Sequence, residues 1–297
     1  MPWQHCQRSG SLLRAPASGA LPPQPIGRHW WRLAALLPLL LLAITADAET
    51  LLVGGTGSSA PIVRLLFDEF RQQDPEATLR QLAPPIGTGG ALKALAGGRI
   101  DLGVIGRPLL PAEMQQVGEH FPLADSPFVF ASRDGQQDGG FTLDQIASIH
   151  DGRLRSWQDG SPIRLILRAS FESDTLTLKN ISPAMAEAVV AATRRPGMVY
   201  GDNDFHALQL IATTPGSLGP TTLGMIVTTQ TRVVVLAIDG VAPSLRTLQD
   251  GSYPWCKSLT VVLPQRASPL ARRFAAFLRS AAAARVLQEH AYLPRMS

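Results

Sequence analysis

Two stretches within residues 51–96 constrain the fold most, because each ends an extended run in a glycine-rich turn and then opens a helix. Leu51-Leu52-Val53 is a short apolar run bounded by Gly54 and Gly55, which suits a buried strand in a parallel sheet. After the turn, Ile62, Leu65, Leu66 and Phe70 recur at helical spacing, with Ser59 placed to cap and Pro61 in the first turn. The unit then repeats. Residues 78–82 read as extended, 84–90 as a turn, 91–96 as a short helix ending at Gly97 and Gly98, and 100–105 as a third buried strand. Strands alternating with helices at this spacing predict an α/β fold built on a mainly parallel sheet.

A second unit is expected from Phe128. Residues 128–132 read as a strand, followed by a polar, glycine-rich connector over 133–140. Thr142 with Gln145 forms a capping box for a helix running to Ile149. Further strands are expected over 163–167, 223–227, 233–238 and 259–263. Ser182-Pro183 opens a helix that ends before Pro196-Gly197, and the tail over 269–290 reads as helical, with Phe274, Phe277 and Leu278 on one face. No internal repeat is visible, which excludes solenoids and propellers.

The first 48 residues read as an export signal. A basic stretch ending at Arg32 precedes an apolar run over 33–44, and Ala46-Asp47-Ala48 has the small-x-small form of a signal peptidase site. The apolar run falls well short of the roughly 20 residues that span a bilayer, so cleavage after Ala48 and a periplasmic mature chain are expected. Arg8, Arg14, Arg28 and Arg32 lie before that cut, with Asp47 alone among the acids. The 27 basic and 23 acidic residues thus fall to 23 and 22, a net of +1. Such a balance gives no warrant for a nucleic-acid or anionic-membrane partner. Cys256 is the one cysteine left, so the mature chain has no intramolecular disulfide.

Backbone N–H groups at a helix start have no partner within the helix, and the helix dipole places partial positive charge there. A strand ending in Gly, Ser and Thr that turns into a helix therefore offers an anion site without any lysine. Gly54 to Ser59 is one such turn and Gly87 to Gly90 the other, with hydroxyls at Thr56, Ser58, Ser59 and Thr88 as further donors. Each turn is also explicable as an ordinary helix cap; two in the same register, on neighbouring strand ends, open onto one crevice. Arg168 ends the 163–167 strand ahead of Ser170, Glu172, Ser173, Asp174 and Thr175. Its guanidinium could fork two hydrogen bonds to an oxyanion, or pair with Glu172 or Asp174. Arg107, ahead of Pro108, carries the same ambiguity.

Enzyme signatures are missing. The Gly57-Ser58-Ser59-Ala60 stretch is no nucleophile elbow, and Gly87 to Lys93 does not complete a nucleotide phosphate loop. His120, His150, His206 and His290 show no metal-ligand spacing and read as surface or helix residues, and Cys256 as a small buried hydrophobe. Neither a cofactor nor a metal is expected.

Together these residues resemble the phosphate-specific periplasmic binding proteins of ABC importers, within the type II periplasmic binding protein superfamily. The resemblance rests on Gly55-Thr56-Gly57-Ser58-Ser59-Ala60-Pro61, Ile86-Gly87-Thr88-Gly89-Gly90-Ala91-Leu92-Lys93, and Ile100-Asp101-Leu102-Gly103 with Arg107-Pro108-Leu109. Leu143-Asp144-Gln145-Ile146, Asp239-Gly240-Val241-Ala242-Pro243 and Gly251-Ser252-Tyr253-Pro254 extend it. It implies two lobes joined by two crossing strands, lobe I being 49–127 plus 256–297 and lobe II 128–255, with hinges near Pro127 and Pro254. It also implies a monomer that closes on phosphate or a similar oxyanion and delivers it to importer membrane subunits. Carried over by position, the ligand-binding set is Gly57, Ser58, Ser59, Thr88, Gly89, Arg168, Ser173, Asp174 and Thr175. Two positions depart from the family. The aspartate that accepts the ligand's proton is replaced by Gly106, and the glycine of a Ser-Gly-Thr cradle by Asp174, so Asp174 is the expected new acceptor. A ligand-free sensory or scaffolding envelope protein of the same fold is the alternative.

Overall fold

The structure is a computed structural model and describes residues 49–135 and 137–295. The expected export segment and its cleavage site lie outside the described residues. The first half is laid down by β1 (Thr50–Gly55), α1 (Ala60–Phe70), β2 (Thr78–Gln81), α2 (Gly87–Ala96), β3 (Leu102–Ile105) and the single turn α3 (Pro111–Met114). β4 (His120–Ser132) leads into α4 (Leu143–Asp151), β5 (Arg164–Arg168), α5 (Ser173–Ile181), α6 (Pro183–Arg194) and β6 (Val199–Gly201). α7 (Asp204–Thr213), β7 (Ser217–Thr222), α8 (Leu223–Thr229), β8 (Val234–Val235) and α9 (Leu245–Gln249) follow. β9 (Cys256–Val262), α10 (Pro269–Phe277), α11 (Ala281–Glu289) and β10 (Leu293–Pro294) close the order.

The strand order is β2-β1-β3-β9-β4-β7-β5-β6, with β8 and β10 added alongside β4. β1 runs parallel to β2 and β3, and β5 parallel to β6 and β7. Antiparallel pairing is confined to strands next to β9 and β4. The 13-residue β4 pairs with β9 as far as Pro127 opposite Cys256, then joins β7 from Phe128 opposite Thr222. One continuous strand thus serves both halves of an α/β fold with a mixed sheet.

Separate apolar clusters lie on either side of that change of partner. In the first, Leu51 and Val53 of β1 and Ile62, Leu66 and Phe67 of α1 pack with Phe274 of α10, whose ring meets Phe67 and Phe70 at 5.2 and 5.3 Å. Phe128, Phe130, Phe141, Ile146, Leu167 and Tyr253 belong to the second. Helix ends follow their sequence cues. The Thr142 side chain accepts from the Gln145 N–H at 3.2 Å while Gln145 Oε1 accepts from the Thr142 N–H at 2.8 Å. Thr142→Ala is therefore expected to lower stability by about 1 kcal/mol, seen as a lower urea midpoint at constant m; an unmoved midpoint would mean the cap contributes nothing.

Four expectations are corrected. Residues 223–227 are helical, because the Thr222 side chain caps α8 by accepting from the Met225 N–H at 3.2 Å; the strand is the preceding, wholly buried Ser217–Thr222. The expected strand over 233–238 shrinks to Val234–Val235. The tail helix is two helices, the second started by Ser280 capping the Ala283 N–H at 3.2 Å. The second glycine turn is itself the first turn of α2, entered through Gly87 at φ +68°, a backbone state that glycine adopts at no steric cost.

Candidate anion-binding cleft

The first glycine turn is fastened to the end of β3. The Thr56 N–H donates to the Val104 carbonyl at 3.0 Å, and Ser59 Oγ donates to the Thr56 carbonyl at 2.8 Å. A Cβ on Gly55 would lie 2.1 Å from the Val104 carbonyl oxygen, so only glycine permits this approach. From behind, the buried Tyr292 hydroxyl donates to the Ser58 carbonyl at 3.1 Å. Fixed in this way, the turn aims the Gly57 N–H into the cleft, where Asp204 Oδ2 accepts it at 2.9 Å. Thr56 Oγ1 reaches the same oxygen at 3.3 Å.

The second turn and the arginine loop meet the first around Gly106. Thr88 Oγ1 accepts from the Gly106 N–H at 3.1 Å. A Cβ on Gly106 would come within 2.8 Å of Lys257 Cε and 2.9 Å of Ser173 Oγ. The missing side chain at 106 is thus the space that Lys257 threads. Beside it, a cavity of about 280 Å³ is lined by Gly87, Gly89, Lys93, Phe171, Glu172 and Ser173, among others.

Arg168 ends β5 fully buried. Its Nη1 donates to the Gly201 carbonyl at 2.6 Å, and Nη2 lies 3.2 Å from Glu172 and 3.7 Å from Asp204. Its Nε has no hydrogen-bond partner and stands 3.8 Å from Asp174 Oδ2. Lys257 enters from β9, with Nζ donating to Asp174 Oδ1 and, at 2.9 Å, to Asp204 Oδ1. The Thr175 hydroxyl is committed to the Arg168 carbonyl at 3.1 Å.

Two buried cations therefore face two buried carboxylates, with half-buried Glu172 as a third. Lys257 and Arg168 hold the Asp204 carboxyl down to about 2 against the opposing effect of burial. Burial pushes Asp174 and Glu172 up from the ordinary carboxylate range, so these take protons first as pH falls. The two carboxylates beside it raise the Lys257 ammonium above its usual value despite its burial.

Gly57, Thr88, Arg168, Ser173 and Asp174 are thus brought to one place, while Ser59 and Thr175 spend their hydroxyls on backbone carbonyls. The carboxylate that reaches the first glycine turn is Asp204, and Asp174 is held by Lys257. Neither Asp204 nor Lys257 was singled out from the sequence. Asp204 lies in no element expected from the sequence; the available signal was Lys257, a lysine just ahead of the apolar run over 259–263. Arg107 pairs with Glu113 through two bonds of 2.7 and 2.8 Å while lining the same cavity as Gly87 and Ser173. Cys256 is partly exposed rather than buried, because its strand end lies beside the cleft rim. Among the described residues no cluster of metal-ligating side chains is found and no helix is long and apolar enough to cross a membrane.

A family model described as a PBP superfamily domain matches residues 43–282. The chain belongs to the PBP superfamily. It is 23% identical over 240 residues to the phosphate-binding protein PstS of Bacillus subtilis, covering 78% of this chain and 75% of that protein. Among solved structures, a candidate phosphate ABC transporter substrate-binding protein of Clostridium perfringens, with bound phosphate, superposes with a TM-score of 0.71 at 16% identity, over 83% of this chain and all of the other. The periplasmic molybdate-binding protein of Azotobacter vinelandii gives 0.60 at 13%, over 82% of this chain and all of the other. These likenesses establish that the PBP superfamily member has the α/β fold of solute-binding proteins.

Proposed function

We propose that this chain is an exported solute-binding protein that captures phosphate or a related tetrahedral oxyanion in the cleft and delivers it to an ABC importer. The observation that carries the reading is the buried, unpartnered Nε of Arg168, in the cleft that also gathers Thr88 of the second turn and Ser173 of the arginine loop. A buried donor left without a partner costs about 1–3 kcal/mol, and an oxyanion oxygen would relieve that cost. Lobe I (49–127 and 256–297) and lobe II (128–255) would close over the ligand by bending where β4 exchanges β9 for β7, with no covalent step. The phosphate-binding relatives support the same choice of ligand.

Thermal melts with phosphate, arsenate, sulfate and molybdate test the reading. A ligand at a hundredfold excess over its Kd stabilises by about 2.7 kcal/mol, a rise of several degrees for a chain of this size. Phosphate is expected to give the largest shift. Equal melts in all four anions and in buffer would instead support the second reading, an envelope protein whose lobes stay closed on their own. The Asp204 carboxylate on the Gly57 N–H is what favours that second reading.

A further inference from the structure

The first glycine turn already holds an anion. The Gly57 N–H and Thr56 Oγ1 converge on Asp204 Oδ2. Lys257 holds the other oxygen at 2.9 Å, and Arg168 stands 3.7 Å away. A backbone amide, a hydroxyl and two cations around one buried anionic group are the donors that a bound oxyanion requires. Asp204 is the first residue of α7 and follows β6, which pairs with β5. The turn belongs to β1, on the far side of β9 and β4 in the sheet order. The contact thus bridges the two halves of the sheet. It is also crowded: a Cβ on Gly57 would come within 2.8 Å of Asp204 Oδ2, which leaves no space for a second anion at that amide.

We propose that Asp204 is the cleft's internal ligand: its carboxylate occupies the first glycine turn in the ligand-free protein, and an external oxyanion binds there by displacing it. This rests on reading the turn as an anion cradle and is independent of which anion the protein carries. Two consequences follow from the geometry. Contacts between the lobes form without any external ligand. External affinity is reduced by the fraction of molecules in which the turn is vacant, so Asp204 sets the affinity of the site without contacting the ligand in the complex.

The test compares wild type with Asp204→Asn, which keeps the shape and loses the charge, and with Asp204→Ala. If the internal ligand occupies the turn nine times in ten or more, its removal tightens phosphate binding by about tenfold or more in calorimetry. X-ray scattering in phosphate-free buffer is expected to show a larger radius of gyration for Asp204→Ala than for wild type. Unchanged or weaker phosphate binding together with unchanged scattering overturns the proposal. Expansion of Asp204→Ala while no form binds phosphate leaves Asp204 as the internal ligand and rejects phosphate as the solute. A measurement needing no variant is exchange of the Gly57 amide proton in phosphate-free wild type. Slow exchange is expected of an amide donating to Asp204, and free exchange at that position sinks the idea.

Discussion

Replacing Lys257 by methionine is expected to destabilise the protein by about 3–5 kcal/mol, because it strands two buried carboxylates that one ammonium now holds. The Arg168 guanidinium, at 3.7 and 3.8 Å from Asp204 and Asp174, is too distant for good hydrogen bonds to either. Asp204→Asn should cost less, since Lys257 and Asp174 then remain a pair. The Lys257→Met loss should also depend on pH in a set direction. Without the ammonium, the buried Asp174 carboxyl rises further above its unfolded value. The folded state then binds more protons than the unfolded chain, and stability recovers as pH falls toward the unfolded value of about 3.9. Urea unfolding at pH 8 and pH 5 checks this; a loss equal at both, or larger at pH 5, would contradict the charge explanation and leave only packing.

The second large effect comes from His150, on α4. Its ring is fully buried, Nδ1 contacts the Ile146 carbonyl at 2.8 Å, and Nε2 has no partner. Burial, reinforced by Arg195, whose guanidinium donates to the Ile149 and His150 carbonyls, lowers its pKa to about 4. A histidine held neutral in the fold but free to charge in the unfolded chain works against acid stability. Stability is whole above about pH 6.5 and declines as pH falls to about 4, by about 3 kcal/mol at the lower end. His150→Phe keeps an aromatic ring against Phe130 and removes the titration. Its stability should therefore change less than that of wild type between pH 7.5 and pH 4.5, and parallel curves for the two proteins would rule His150 out as the cause.

Local chemistry was legible wherever it is decided within a few residues. The strand-turn-helix at Val53 to Phe70, the Thr142 capping box and the strand ending at Arg168 all follow from glycine, proline, hydroxyl and apolar spacing. Leu223 to Val227 misled because an apolar run of that length suits strand or helix equally; the hydroxyl of Thr222 decided it. Half of the cleft was readable for the same reason, since Gly57, Thr88 and Arg168 sit on recognisable turns. The other half was not. Lys257 lies 53 residues from Asp204 and 83 from Asp174, and no local rule joins them. What joins them is the insertion of β9 beside β3, together with a glycine at 106 that leaves room for the lysine stem. Gly106 read alone marks a missing carboxylate; beside Lys257 it is the small half of a complementary pair.

The place of β9 in the sheet also dictates an order of events during biosynthesis. It lies between β3 and β4 and pairs with both, so the sheet containing residues 50–105 cannot close until a segment more than 150 residues later has left the ribosome. The tyrosine that backs the first glycine turn emerges later still, at position 292. For most of its synthesis the chain therefore holds β2, β1 and β3 with the edge of β3 unpaired. A polypeptide whose first sheet stays open until residues 256–262 arrive is exposed to aggregation over the same interval.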